Sequence, residues 1–208
     1  MGRGLAARFV AAGESVFLGS RDEGRGAAAS DELRQSILAH LPSDPILGGG
    51  SNEEAAIQGR LVVLTLPSDG YEAALKAART ALADKVVVSA GVPVTFVDRI
   101  PRWDDAGPGL TVRTQELLPE SWVAGAFHTV SSATLKNLGA PFGEDVLIAT
   151  DHVRARDEVA ALVDLIGGRP VNAGGMAFGR LTEALAVLLL SVNKHHKANV
   201  GISLTALV

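Results

Sequence analysis

Short apolar runs alternate with helical segments along nearly the whole chain, and this alternation is the feature that most limits its fold. The runs that predict strands are 15–18, 61–66, 85–89, 122–127, 146–149 and 169–171. Helices are predicted over 24–40, 52–58, 71–83, 153–166 and 178–192. Strands that alternate with helices favour an α/β fold with a doubly wound parallel sheet. The last segments predict a small helical or α+β part at the C-terminus.

The chain begins with a helix, over 2–13, followed at once by a strand. This order is typical of the second half of a dinucleotide-binding βαβ unit, in which a buried strand and a G-x-G-x-x-G turn precede the helix. The sequence shows neither of these, and Gly2 takes the place of the last glycine of the turn. We therefore predict a Rossmann-type NAD(P)-binding fold whose first strand is missing from this chain.

The missing strand would be the central one, between 15–18 and 61–66. Four or five buried aliphatic side chains at about 2 kcal/mol each amount to roughly 8–10 kcal/mol, which equals the whole stability of many domains. We expect that the native product is longer than this chain, or that the chain is impaired. If Met1 is the true start, pyrophosphate binding is expected to be weak, because most of the amide cradle is lost.

The end of the strand over 15–18 predicts which dinucleotide is bound. NAD-binding units usually carry an acidic residue there, whereas this chain has Gly19, Ser20 and Arg21, with Arg25 one helical turn further on. Small and basic residues supply donors for a 2′-phosphate, and we expect a rim without a carboxylate of its own. The alternative is that the two arginines are ordinary solvated residues at a helix start.

Three further strand ends carry small or polar residues, and the carboxyl ends of parallel strands meet at one edge of a sheet. They are Thr65, Leu66 and Pro67, then Ser89, Ala90 and Val92, and finally His128 with Thr129. The first group is expected near the adenosine and pyrophosphate, and the second near the nicotinamide. Because His128 follows an apolar strand, a purely structural role for it stays open.

Composition excludes several classes of function. The chain has 208 residues, 47% of them hydrophobic, and a net charge of −4, so a basic nucleic-acid-binding surface is not expected. The longest apolar stretch, 181–192, contains Thr182 and Glu183 and is interpreted as a buried helix rather than a membrane span. With no cysteine and no signal peptide, thiolate catalysis and disulfides are excluded, and a cytoplasmic protein is favoured.

Taken together, these stretches resemble the NADPH-dependent reductases of the deazaflavin coenzyme F420, over nearly the whole chain. The matching stretches are 18–21, 63–67, 85–89 with 92–93, 126–129, Arg180-Leu181 with Glu183, and 201–202. The resemblance implies direct hydride transfer between nicotinamide and deazaflavin, with no catalytic protein nucleophile and no metal. It further implies that Ser20, Arg21 and Arg25 hold the 2′-phosphate and that His128 and Thr129 face the deazaflavin.

Two departures from that family leave other functions open. Ser131 stands where a proline is expected, and Ala177 with Phe178 replace polar residues before Arg180. One alternative is therefore an NADPH-dependent reductase of another acceptor, namely a flavin, ferric chelate, quinone or imine. A second alternative is a non-catalytic NADP-binding protein.

The remaining predictions concern organisation and single polar residues. We expect an NADP-binding domain over 1–128 and a smaller substrate or dimerisation part over 129–208, assembled as a homodimer through the apolar last helix. His195 and His196 are interpreted as partners of a helix dipole rather than metal ligands. Asp151 is expected to cap a helix. Glu183 is expected to pair with the dipole of its own helix, with contact to a ligand as the alternative.

Overall fold

The structure, a computed structural model, describes residues 1–41, 46–67, 69–98, 100–103 and 107–206. Its helices are α1 Gly2–Ala11, α2 Glu23–Ser36, α3 Asn52–Gln58, α4 Tyr71–Leu82, α5 Leu110–Leu117, α6 Ser132–Lys136, α7 Val153–Leu165 and α8 Gly179–His196. Its strands are β1 Val16–Ser20, β2 Leu47–Ser51, β3 Leu61–Leu64, β4 Val86–Ser89, β5 Val94–Val97, β6 Ile100–Trp103, β7 Trp122–Gly125, β8 Asp145–Ala149 and β9 Arg169–Gly174.

The strands form a parallel pair, β1 with β2, and a five-stranded sheet in the order β3-β4-β7-β8-β9. The α/β prediction is confirmed, and β3, β4 and β7 are parallel as expected. Strands β8 and β9 are parallel to each other, but β8 is antiparallel to β7, which it joins at Gly125 and Ala149. The sheet thus continues across residue 128, where the sequence predicts a domain boundary.

Helices cover both faces of the five-stranded sheet, as its apolar strands require. Val86 and Val88 point to a core that α1 and α7 cover, whereas Val87 packs with residues of α4 on the opposite face. All three valines are fully buried. Successive residues of a strand point to opposite faces, so an unbroken valine run serves both layers at once.

Strands β1 and β3 are not joined by hydrogen bonds within the described residues, so the two sheets remain separate. Val16 of β1 and Leu61 and Val63 of β3 pack against the same core cluster while staying partly exposed. Strands β1 and β3 thus flank the position that the sequence predicts for the missing strand. The unbroken apolar run over 61–66 is typical of a fully buried strand. Leu61, Val62 and Val63 nevertheless stay partly exposed, because no strand among the described residues pairs with the edge of β3 away from β4.

The glycine run over 48–50 lies inside β2, which is not among the strands predicted from the sequence. The reason is the close crossing of α2 over this strand. A Cβ on Gly26 would overlap the carbonyl oxygen of Gly50, and one on Gly49 would overlap that of Gly26. Glycine is required on both elements because their backbones touch.

Pro101, Trp103 and Pro108 are typical of an irregular surface segment, yet most of the residues that the structure describes over 98–119 lie in a strand or a helix. Strands β5 and β6 form an antiparallel hairpin, and α5 follows it. Residues 99 and 104–106 lie outside the described residues. Helix α5 escapes prediction because its buried face carries Thr111 and Thr114, polar residues whose hydroxyls are hydrogen-bonded.

Among the described residues, one helix, Met176–His196, is long and apolar enough to cross a membrane by length and composition. Only 33% of the residues in its apolar stretch are buried, so the interpretation of 181–192 as a buried helix is wrong for the exposed Leu181 and Leu188. Core helices of soluble proteins pass the same test, and this helix packs on α5 and β6. Its Glu183 is fully buried and bonded to another helix, which favours packing within the protein.

Candidate functional site

The predicted site lies at one edge of the five-stranded sheet, where three parallel strands end in register. Leu64, Ser89 and Gly125 are aligned across β3, β4 and β7. The ladder continues for one residue beyond them, since Ala90 N donates to Leu64 O at 3.2 Å and Ala126 N donates to Ser89 O at 3.2 Å. The segments after β3, β4 and β7 therefore emerge side by side, as the sequence predicts.

Gly2 and Thr65 meet at this edge. A Cβ on Gly2 would lie 2.6 Å from Thr65 Oγ1, so the start of α1 approaches the end of β3 only because residue 2 has no side chain. No side chain caps the N-terminus of α1. Uncapped amide groups at a helix start attract anions, and the place predicted for the pyrophosphate fits such a group.

The basic residues after β1 are accessible and oriented by the start of α2. Arg21 and Arg25 are exposed, and neither forms an ion pair within the described residues. Asp22 lies between them and caps α2, with its Oδ1 accepting the Arg25 amide at 2.8 Å. The expectation of a rim without a carboxylate is therefore wrong, although this carboxylate is engaged with the helix.

The predicted cofactor-binding residues divide by accessibility. Four of them are partly exposed: Gly2, Ser20, Leu66 and Val92. Four are exposed: Arg21, Arg25, Thr65 and Pro67. The buried ones are Ser89, Ala90, His128 and Thr129. The Ser89 hydroxyl lies 3.4 Å from the Tyr71 hydroxyl, which also bonds Thr114 Oγ1 at 2.7 Å. Ser89 thus belongs to a buried polar cluster, and its side chain faces the protein.

His128 follows β7 through a strained residue. Phe127 has a φ of 66°, in the left-handed region that bulky residues avoid. The His128 Nδ1 lies 3.0 Å from Thr182 Oγ1 of α8, while its buried Nε2 has no partner of good hydrogen-bond geometry within the described residues. Burial lowers the pKa of His128 to about 4, with the Ser89 carbonyl opposing this in part. The imidazole is therefore neutral at pH 7, with one nitrogen still able to bond.

Glu183 is fully buried in α8 and bonds the first turn of α5. The prediction that it pairs with the dipole of its own helix is wrong, because its carboxylate bonds the first amides of α5. Its buried partner Thr111 is not predicted as part of any site, nor are the buried hydroxyls of Thr114 and Tyr71, which bond each other beside the same turn. The sequence signal for them is Glu183 itself, because a carboxylate in an apolar helix requires a partner.

A shallow cavity of about 390 Å³ lies apart from these residues, around Gln115, Asp151 and His152. Its polar groups are engaged with the protein: His152 Nε2 lies 2.8 Å from Gln115 Oε1, and Asp151 Oδ1 accepts the Met176 amide at 3.0 Å. The prediction that Asp151 caps α7 is wrong, because the capping position is His152, which makes no side-chain cap bond. Among the described residues, no group of three acidic or histidine side chains is arranged to hold a metal.

The fold is that of dinucleotide-binding oxidoreductases. A crystal structure of a candidate F420-dependent NADP-reductase from Arthrobacter sp. FB24 superposes with a TM-score of 0.79 at 23% identity, covering 98% of this chain and 94% of that one. At this identity the likeness concerns the fold alone, and it confirms the predicted Rossmann-type α/β architecture.

Sequence comparison then identifies the family. The chain is 33% identical to the F420-dependent NADP reductase of Methanothermobacter marburgensis, covering 99% of this chain and 94% of that protein. Residues 1–93 match the family described as NADP oxidoreductase coenzyme F420-dependent. The rat metalloreductase STEAP3 is 27% identical over 90% of this chain, which spans 35% of that protein. The chain belongs to the F420-dependent NADP reductase family, and the resemblance stated from its sequence is confirmed.

Proposed function

We propose that this protein is an NADP-dependent oxidoreductase that transfers a hydride between NADPH and an F420-type deazaflavin. The observation that carries the proposal is the sheet edge where Gly2, Thr65 and the 89–92 segment converge. Family membership along nearly the full chain supports both coenzymes.

The dinucleotide is held by groups that fit its charges. The 2′-phosphate is bound by Arg21 and Arg25 together with Ser20. Both arginines are exposed and form no ion pair among the described residues. The uncapped start of α1, with Gly2 against Thr65, serves the pyrophosphate. Leu66, Pro67, Ala90 and Val92 supply the walls of the cleft, and Ser89 contributes through its backbone and the buried cluster behind it.

His128 and Thr129 are proposed to face the deazaflavin. The Nε2 of the neutral imidazole has no hydrogen bond of good geometry among the described residues, while Thr182 fixes the ring through Nδ1. When bound, the two coenzymes supply hydride donor and acceptor by themselves. The protein orients them and excludes water, which is the role of the buried residues Ser89, Ala90, His128 and Thr129 at its strand ends.

The test is loss of the visible absorbance of oxidised F420 when NADPH is added to the purified protein. We expect turnover with NADPH to exceed turnover with NADH. Replacing Arg21 by Ala should raise the KM for NADPH at least tenfold, since a charge-assisted pair is worth about 1.5–3 kcal/mol, and should leave the KM for NADH unchanged. No absorbance change with NADPH would defeat the proposal.

A second candidate is an NADPH-dependent reductase of another acceptor. Phe178 favours it, because this apolar side chain is 51% exposed at the start of α8, in place of the polar residue expected there. The similarity to a metalloreductase also supports it. NADPH oxidation by a ferric chelate, flavin, quinone or imine, without any by F420, would establish this function. A melting temperature unaffected by millimolar NADPH would instead indicate a protein that does not use the dinucleotide.

The proposal includes a cytoplasmic homodimer with a division near residue 128 between the NADP-binding part and the rest. Exposed large apolar side chains of α8 and the β5–β6 hairpin support the assembly, since a monomer rarely exposes so many together. We call these residues the helix–hairpin surface: Phe96, Val97, Ile100, Leu181 and Leu188.

A further inference from the structure

We infer that Glu183 is a positioning residue for the nicotinamide end of the cleft, acting through the first turn of α5. The inference rests on the proposed function, in which the 89–92 segment borders the nicotinamide. It adds to the cleft a residue of the C-terminal helix that has no exposed surface of its own.

Both carboxylate oxygens of Glu183 are used by α5. Oε2 accepts the Leu110 amide at 2.9 Å. Oε1 accepts the Thr111 amide at 2.9 Å and the Thr111 hydroxyl at 2.8 Å. The capping position of α5 is Gly109, which has no side chain to offer, so Glu183 supplies the cap from another helix. An anion at a helix start is stabilised by the helix dipole and by charge-assisted hydrogen bonds.

The turn held in this way contacts the predicted nicotinamide segment. A Cβ on Gly91 would lie 3.0 Å from Leu110 Cδ1, so the Leu110 side chain covers the backbone that follows β4. A Cβ on Gly125 would lie 2.5 Å from Thr111 Oγ1 and 3.1 Å from the His128 ring. A displacement of this turn would therefore reach Gly91 and the segment that carries His128 together.

Replacing Glu183 by glutamine removes the negative charge and one acceptor oxygen but keeps the volume of the side chain. Its amide keeps one acceptor oxygen for Thr111 but turns a nitrogen donor toward the Leu110 amide, so two donors would face each other. The first turn of α5 must then open, while the side-chain volume and the rest of α8 are unchanged.

The experiment compares Glu183→Gln with Gln115→Met. Gln115 lies at the other end of α5 and bonds the Leu118 and Ser121 carbonyls, so its replacement loosens the same helix away from the cleft. Three quantities are measured: hydrogen exchange of the Leu110 and Thr111 amides, fluorescence of the reduced nicotinamide of bound NADPH, and affinity for 2′,5′-ADP, which lacks the nicotinamide.

For Glu183→Gln we expect amide exchange at least about tenfold faster, as the loss of one hydrogen bond to a charged group implies. We also expect an altered nicotinamide fluorescence, with affinity for 2′,5′-ADP unchanged. Gln115→Met should lower the melting temperature without changing either signal. The milder Thr111→Val, which removes only the hydroxyl bond, should shift both signals in the same direction by less.

An unchanged nicotinamide signal in Glu183→Gln, or an equal loss of 2′,5′-ADP affinity, would show a merely structural carboxylate and overturn the inference. If Glu183→Gln does not fold, an unchanged signal in Thr111→Val has the same meaning. Wild-type protein without any NADPH signal would overturn the proposed function. A nicotinamide signal that is the same in the wild type and Gln115→Met but altered in Glu183→Gln would support both the proposed function and the role of Glu183.

Discussion

Asp22 places a negative charge next to the proposed phosphate site, one residue from Arg21 and at the cap of the helix that carries Arg25. Asparagine caps helices as well as aspartate does, so Asp22→Asn removes the charge and keeps α2 in place. We expect NADPH to bind about two- to fivefold more tightly at low ionic strength, with the gain fading as salt screens the charge. Titration calorimetry with NADPH and NADH checks this, since the same gain for both dinucleotides would contradict a phosphate-specific effect.

The lowered pKa of His128 predicts how the free energy of unfolding depends on pH. Its pKa is about 4 in the folded protein, against an ordinary value of 6.5. A lowered pKa means that its contribution to stability is fully present above about pH 6.5 and is lost as the pH falls toward 4. The loss amounts to about 3 kcal/mol. Urea unfolding at a series of pH values measures it, and His128→Gln should show a flatter decline over that window. Equal slopes for both proteins would refute the assignment.

At the scale of elements, the separation of β1 from β3 predicts a response to an added strand. An apolar strand with a Gly-x-Gly turn, fused ahead of Met1, should pair with both edges and cover Leu61 and Val63. We expect a more cooperative and higher thermal transition, with a gain of up to roughly 8–10 kcal/mol. A fusion of equal length made of Gly and Ser is the control. Identical melting of the two fusions would show that the edges do not accept a strand.

The strands whose aliphatic residues form unbroken runs were predictable, because burial on both faces leaves that mark on β4 and β7. Strand β2 was not predictable, since its glycines are required by the close crossing of α2. Arg8 was also missed, although it is buried and donates to the carbonyls of Thr134, Leu135 and Asn137 near α6. Contacts such as Glu183 with Thr111, 72 residues apart, leave no local pattern. The strand ends predict where the site lies, but they do not predict which residues support that edge of the sheet from behind.

At the scale of the whole molecule, the helix–hairpin surface predicts self-association. Leu188 is 59% exposed on α8, and a charge there should prevent apolar contact between two copies. We expect Leu188→Glu to halve the mass measured by analytical ultracentrifugation without lowering the helical content. Leu165→Glu is the control, because Leu165 is 41% exposed on α7 and lies outside the surface. A mass unaffected by Leu188→Glu would exclude this surface as the contact.

The continuation of the five-stranded sheet beyond residue 128 limits how a second coenzyme enters. Ala149 pairs with Gly125, and the Thr150 hydroxyl donates to the Val123 carbonyl at 2.6 Å. A rigid-body rotation of the C-terminal half would break these two contacts in the middle of the core. We therefore expect coenzyme exchange to depend on small displacements of the β5–β6 hairpin and of the first turn of α5 rather than on opening of the C-terminal half.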